Sequence, residues 1–392
     1  MQKLKTGLKT LLRYPLILLF FGFLFLFTLV DFLKPSQEFS ELENRRLLQA
    51  PTFNLTSLVN NEWTLDYGEY IREQFIFRDG WILTQSALEV AQGKLEHGGA
   101  WYAKDDYQIA KNSIFSPAQA RILPINTQSV AELAQRHEGK VQVMVVPSPA
   151  NVLADKLRWG PPQMDENTLL DTLFAELSAA GANGIDLREA FIQADAAGQQ
   201  VYYRTDHHWT TTGGALLAYQ ALCEATGKTP TVPSDALLVD VEGFLGTNYA
   251  KTLRPFTRPD TLRYYDLPNP MTIYKPQTDG GLSEQQTDIM DKSQLDKFDK
   301  YAAFLHGNNG YSVIEGNGEG SILVIKDSYG NCFVPYLVES YAQVGVIDLR
   351  DWVAGIDSVI EQDGYDDILV LYSFPSFTED TYLSRLATEK QS

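Results

Sequence analysis

The chain has 392 residues, 44% of them hydrophobic, with a formal net charge of −18. That is ample apolar material for a large core, and the acidic field has the wrong sign for gripping a phosphate backbone, which excludes nucleic acid as a partner. The only cysteines, Cys223 and Cys332, sit in apolar helical patterns and are expected as buried free thiols; no cysteine spacing suggests a zinc knuckle.

Lys3, Lys5, Lys9 and Arg13 precede an apolar run, Leu16 to Val30, broken only by Gly22 and Thr28. At about 1.5 Å of rise per residue, the stretch from Tyr14 to Leu33 reaches across a bilayer core. The basic cluster predicts a cytoplasmic leader, residues 1–13, and an exported body. Asp31-Phe32-Leu33-Lys34-Pro35 offers no small-residue cleavage site, so residues 14–33 read as an uncleaved, single-pass anchor in the cell membrane.

Ser40 to Glu43 reads as a capping box ahead of a helical turn holding Arg45 and Arg46. Aromatic and charged residues at helical spacing follow from Leu58 to Leu95, so residues 34–112 are expected to be a helical juxtamembrane segment packed on the main domain.

From residue 113 onward the pattern alternates. Strands are predicted at Val141 to Val146, Ile185 to Leu187, Ser321 to Ile325, Val344 to Ile347 and Ile368 to Leu371. Helices are predicted near Glu166 to Ala180, from Thr212, at Cys332 to Tyr341 and at Val353 to Gln362. This alternation implies right-handed crossovers, a mainly parallel sheet and helices on both faces, an α/β three-layer sandwich. Between about 228 and 319 it stops, and a Pro-, Asp-, Thr- and Tyr-rich insertion is expected to fold over the sheet edge. In such sheets ligands bind beyond the carboxyl ends of the strands, where Ser148, Asp186 and Ser328 fall.

Two polar segments meet that expectation, TDHHWTTTGG from Thr205 and KDSYGN from Lys326. Ser328 sits between a strand and a predicted helix, next to free backbone N–H groups, which makes it the candidate nucleophile; an N-cap serine is the plainer alternative. If residues 206–209 run extended, Asp206 and His208 share one face, with His208 as base and Asp206 as its orienting carboxylate. In a kinked loop His207 takes that place. A metal site would need Asp206 and a histidine with His306 or Asp327, but no ligand spacing enforces it, and no metal or cofactor is expected. Gly307 and Asn308 are candidate oxyanion donors, with a plain turn as the simpler reading. Trp209, Arg204, Tyr329 and Arg350 are candidate substrate contacts, although core packing is the first reading of Trp209 and an ion pair that of Arg350. Thr210, Thr211 and Thr212 read as helix caps.

These motifs, together with SELENRRLLQAP, VVPSPANVLADKL and YAAFLHGNNG, resemble the DHHW protein family, which is similar to the AlgX/AlgJ-type alginate O-acetylation proteins with their SGNH hydrolase-like domain. The resemblance implies a Ser-His-Asp site in the chain order Asp206, His208, Ser328. It implies an extracytoplasmic O-acyl, foremost O-acetyl, transferase or esterase acting on a cell-surface or exported polysaccharide, with a membrane-bound O-acyltransferase as partner. Lys326 stands where the SGNH nucleophile block carries glycine. A non-catalytic polysaccharide-binding or assembly protein of the same fold is the second reading.

Overall fold

The structure is a computed structural model that describes residues 14–276, 282–353 and 355–387; the basic leader lies outside the described residues. The chain clusters into two units, one formed by residues up to 92 with 253–255 and one by 93–252 with 256–392.

In the first unit, the Pro15–Leu33 helix is 19 residues long, none of them buried, and it is long and apolar enough to cross a membrane. Its Asp31 carboxylate accepts the Ile76 N–H at 2.8 Å. Helices follow at Leu55–Val59, Glu62–Gln74 and Arg78–Ala91. The expected helical turn at Ser40 is instead a short hairpin, with Phe39 opposite Arg46 and Ser40 opposite Arg45. The cap contact survives, since the Glu43 N–H donates to Ser40 Oγ at 3.2 Å, but the positive φ of Asn44 turns the chain back instead of winding it onward.

The second unit is built on an eight-stranded sheet: β1 Val141–Val146, β2 Asn183–Gly184, β3 Met271–Pro276, β4 Leu282–Thr287, β5 Tyr311–Glu315, β6 Ser321–Lys326, β7 Gln343–Ile347 and β8 Asp367–Ser373. Its order is β4-β3-β5-β7-β6-β8-β1-β2. The pairs from β7 through β2 are parallel. Those among β4, β3, β5 and β7 are antiparallel. The predicted α/β architecture is therefore present as a parallel half joined to an antiparallel half. Part of the insertion continues the sheet as β3, β4 and β5, because Met271, Ile273 and Ile314 alternate with half-exposed residues as a one-sided strand requires, while its 238–244 and 260–265 strands form a separate two-stranded sheet. The strand predicted at Ile185 to Leu187 pairs two residues earlier, at 183–184, and only the Ile185 N–H reaches β1, at 2.8 Å from Val143 O; Asp186 then turns the chain by accepting the Arg188 N–H at 3.0 Å.

Period-two alternation divides the core between the two sheet faces. Met144, Val146, Ile322, Val324, Leu369 and Leu371 face one layer, containing the Arg188–Ala196 and Leu216–Thr226 helices and the short helices of 330–339. Val143, Val145, Leu323, Ile325, Ile368 and Val370 face the other, containing the Pro117–Arg136, Glu166–Ala179 and Ile356–Asp363 helices. Cys223 and Cys332 are both buried and free. A Cβ at Gly345, in the middle of β7, would run into the Tyr365 hydroxyl and ring, and that hydroxyl is fixed by Tyr311 Oη at 2.7 Å. Gly345→Ala is expected to destabilise the fold by about 1–3 kcal/mol through overpacking, read as a lower urea midpoint with an unchanged slope.

Candidate active site

Ser328 follows β6 at the carboxyl edge of the parallel half. The turn is held by Asp327, whose Oδ1 accepts the Tyr329 N–H at 2.9 Å and whose Oδ2 accepts the N–H and hydroxyl of Ser373, at the end of β8, at 2.9 and 2.8 Å. The aspartate therefore pins the nucleophile turn to the neighbouring strand and is not available as a ligand.

The second segment arrives as an arm. Tyr202 and Trp209 form an antiparallel bridge, with residues 203–208 at its tip. Buried Asp260 holds the arm from behind, accepting the N–H and hydroxyl of Thr205 at 2.9 and 2.8 Å and a Gln200 amide bond at 2.8 Å, and pairing with Arg204 at 3.2 Å. The Thr210 and Thr211 hydroxyls bind the carbonyls of Gln200 and Arg263, so they tie the arm down and do not cap a helix.

At the tip, His208 Nε2 lies 2.8 Å from Ser328 Oγ and its Nδ1 lies 2.5 Å from Asp206 Oδ1. Since the carboxylate only accepts, it fixes the proton on Nδ1 and leaves Nε2 to take the serine proton. The carboxylate also accepts the His208 N–H at 2.9 Å, the Thr247 N–H at 2.7 Å and the Thr247 hydroxyl at 3.0 Å. Gly246 is a glycine by necessity, because a Cβ there would lie 2.6 Å from Asp206 Cγ. Burial alone would raise the Asp206 pKa; the imidazoles of His208 and His207 and these hydrogen bonds outweigh it and hold the carboxyl far below the usual range. His207 lies beside this pair, its ring 3.8 Å from that of His208 and its Nδ1 2.6 Å from Thr247 Oγ1 and 3.6 Å from Asp206 Oδ1; desolvation together with neighbouring His208 lowers its pKa.

Asp206, His207 and His208 bring ligand atoms within 4.8 Å of one another. Both nitrogens of His208 are already engaged by hydrogen-bond partners, a geometry suited to proton relay more than to coordination. His306, the remote ligand considered from the sequence, instead contacts Thr287 at 2.9 Å and Asp288 at 3.3 Å.

The other sequence candidates separate. Trp209 and Tyr329 are 0% and 2% exposed, so both are packing residues and not substrate contacts. Gly307 spends its N–H on Phe304 O at 2.9 Å and is no oxyanion donor. Asn308 is exposed, with its amide oxygen 3.3 Å from both Lys326 Nζ and Asn331 Nδ2, beside the nucleophile turn. Arg350 is bidentate to Asp348, at 2.8 and 2.6 Å. Arg204 lines two adjoining polar clefts of about 390 and 560 Å³, which share it with Gln199, Gln200 and Arg258. Sequence reasoning missed Tyr301, whose ring stacks on His208 at 3.8 Å and 9° and whose hydroxyl donates to Ser328 O at 3.0 Å. It also missed Thr247; both come from the irregular stretch after 228, where no periodicity marks them.

This geometry defines an α/β protein with a Ser-His-Asp constellation at the carboxyl edge of its sheet. The DHHW protein family profile matches residues 185–347, and that of the SGNH hydrolase-like domain of acetyltransferase AlgX matches residues 102–238. A probable alginate O-acetylase AlgJ from Pseudomonas putida is 30% identical over 148 residues, which span 38% of this chain and 38% of that relative's length. Among solved structures, a DHHW family protein from Eubacterium siraeum superposes with a TM-score of 0.60 at 21% identity, covering 74% of this chain and 95% of its own. PatB1 from Bacillus cereus, with a sulfonyl adduct, gives 0.56 at 19%, covering 73% and 98%. The resemblance to the DHHW family and to AlgX/AlgJ-type proteins therefore holds, and the fold is SGNH hydrolase-like.

A carboxyl held below its unfolded pKa of about 3.9 adds stability at neutral pH and loses it as pH falls through that value; a histidine held below about 6.5 loses its contribution as pH falls below 6.5. Asp206→Asn is therefore expected to destabilise the protein most near neutral pH, with the gap to wild type closing below about pH 4 in urea melts. A gap that widens on acidification would contradict the carboxylate's ionised state.

Proposed function

We propose that this chain is a membrane-anchored, extracytoplasmic O-acyltransferase, foremost an O-acetyltransferase, acting on a cell-surface or exported polysaccharide. The observation that carries the reading is the 2.8 Å contact from His208 Nε2 to Ser328 Oγ with Asp206 behind the imidazole. The match to a probable alginate O-acetylase supports a polysaccharide hydroxyl as acceptor.

In this reading Ser328 Oγ attacks the carbonyl carbon of an acyl ester donor while His208 Nε2 takes the hydroxyl proton. The oxyanion is met by the Ser328 N–H, which is bonded to no acceptor among the described residues, and by the Asn308 amide. Collapse expels the donor's alcohol with the proton returned from the imidazolium, leaving acyl-Ser328. A sugar hydroxyl then attacks as His208 takes its proton, and the ester forms on the glycan; water in place of the sugar gives esterase chemistry. A membrane-bound O-acyltransferase fits as the supplier of the acyl group across the bilayer.

With the full chain in detergent and 4-nitrophenyl acetate as donor, an adduct of acetyl mass is expected on Ser328. Ser328→Ala should lose it, with kcat/KM falling at least about 10³-fold. A wild type that stays unlabelled while a control esterase is labelled would favour the non-catalytic binding reading. Added oligosaccharide should capture the acetyl group faster than water does; capture by water alone would assign the protein as an esterase. In intact cells, external protease should cleave the chain beyond residue 34; full protection would reverse the orientation.

A further inference from the structure

We propose that Lys326 is a positioning residue that sets the Asn308 carboxamide as an oxyanion donor to the acyl group on Ser328, an inference that rests on the acyl-transfer reading above. Lys326 is the last residue of β6, two before the serine, and is 1% exposed. A buried ammonium is costly and usually adds less stability than an apolar side chain of the same shape, so its presence calls for a task. Its stem runs under the nucleophile turn. A Cβ at Gly330 would lie 2.7 Å from Lys326 Cδ and 2.8 Å from its Cβ, so the lysine fills the space that a side chain at 330 would need.

The ammonium emerges between two partners. Asp348 Oδ2 lies at 3.5 Å, and Asn308 Oδ1 accepts from Nζ at 3.3 Å. Burial lowers the lysine pKa, with Asp348 opposing and Arg350 reinforcing the shift. On its other side, Asn308 Oδ1 accepts from Asn331 Nδ2 at 3.3 Å. An ammonium can only donate, so the amide atom facing it has to be the oxygen, and the NH₂ group is turned the other way. That NH₂ is bonded to no acceptor among the described residues. Residues 326 and 331 flank Ser328 in the chain, so a loop 20 residues upstream is anchored to both sides of the turn that carries the nucleophile.

Two effects follow. The lysine keeps the amide from turning its oxygen toward a developing oxyanion, which would repel it. The positive charge behind the carbonyl also polarises the amide and strengthens its N–H as a donor. Lys326→Met keeps the stem under Gly330 and leaves Asp348 paired with Arg350, so no carboxylate is stranded.

The test measures acetylation of Ser328 by 4-nitrophenyl acetate in the full chain in detergent. Asn308→Ala is expected to lower kcat about 10²-fold, the effect of losing one oxyanion donor. Lys326→Met should lower it about 10-fold with KM little changed, and Lys326→Gln, which retains a donor, should fall between it and wild type. The double variant Lys326→Met/Asn308→Ala should be no slower than Asn308→Ala alone, because the lysine acts through the asparagine. Losses that multiply, or Asn308→Ala acylating at the wild-type rate, would overturn the assignment while leaving the Ser328 reading intact. If Lys326→Met does not fold, Lys326→Gln in the Asn308→Ala background makes the same comparison. A wild type that acquires no acetyl group would overturn both.

Discussion

Two segments 120 residues apart in the chain meet through a reciprocal clasp in the core. The Trp209 indole donates to the Tyr329 carbonyl at 2.9 Å, and the Tyr329 hydroxyl donates to the His207 carbonyl. Each of these rings is buried, so each polar atom has to find a partner inside the protein, and each finds it on the opposite segment. The rings then stack among Phe191 and Phe333. The distance from His208 to Ser328 is set by this packing much more than by the hydrogen bond between them.

From the clasp outward, the remaining contacts fix direction. Asp327 locks the serine turn to β8, Asp260 locks the arm from behind, and Thr247 locks Asp206. Three buried carboxylates thus serve three different segments, each accepting from backbone N–H groups that a loop would otherwise leave unpaired. The ionised state of Asp206 is sustained by the same contacts that place it.

The parallel half of the sheet was legible because β1, β6, β7 and β8 are apolar runs broken internally only by Gln142 and Gly345, the mark of strands covered on both faces. Asp206, His208 and Ser328 were legible because their chemistry is written in short strings. Tyr329 misled as a substrate contact because side-chain chemistry does not reveal which face of a turn is sealed. The antiparallel half was hidden in an alternation of Thr272 and Tyr274 with Met271 and Ile273, polar enough to pass for loop. Tyr301 and Thr247 carried no local signal at all, since stacking on an imidazole or capping a carboxylate depends on a tertiary meeting.

The continuation of the sheet by β3, β4 and β5 has a wider meaning. Ser328 follows a strand of the parallel half, whereas Tyr301 and Asn308 arrive from the stretch that leads into β5. The serine turn and the residues that surround it are thus carried by separable parts of one chain. Substitution at exposed Asn308 can redraw the surroundings of Ser328 without reopening the buried contacts on which folding relies.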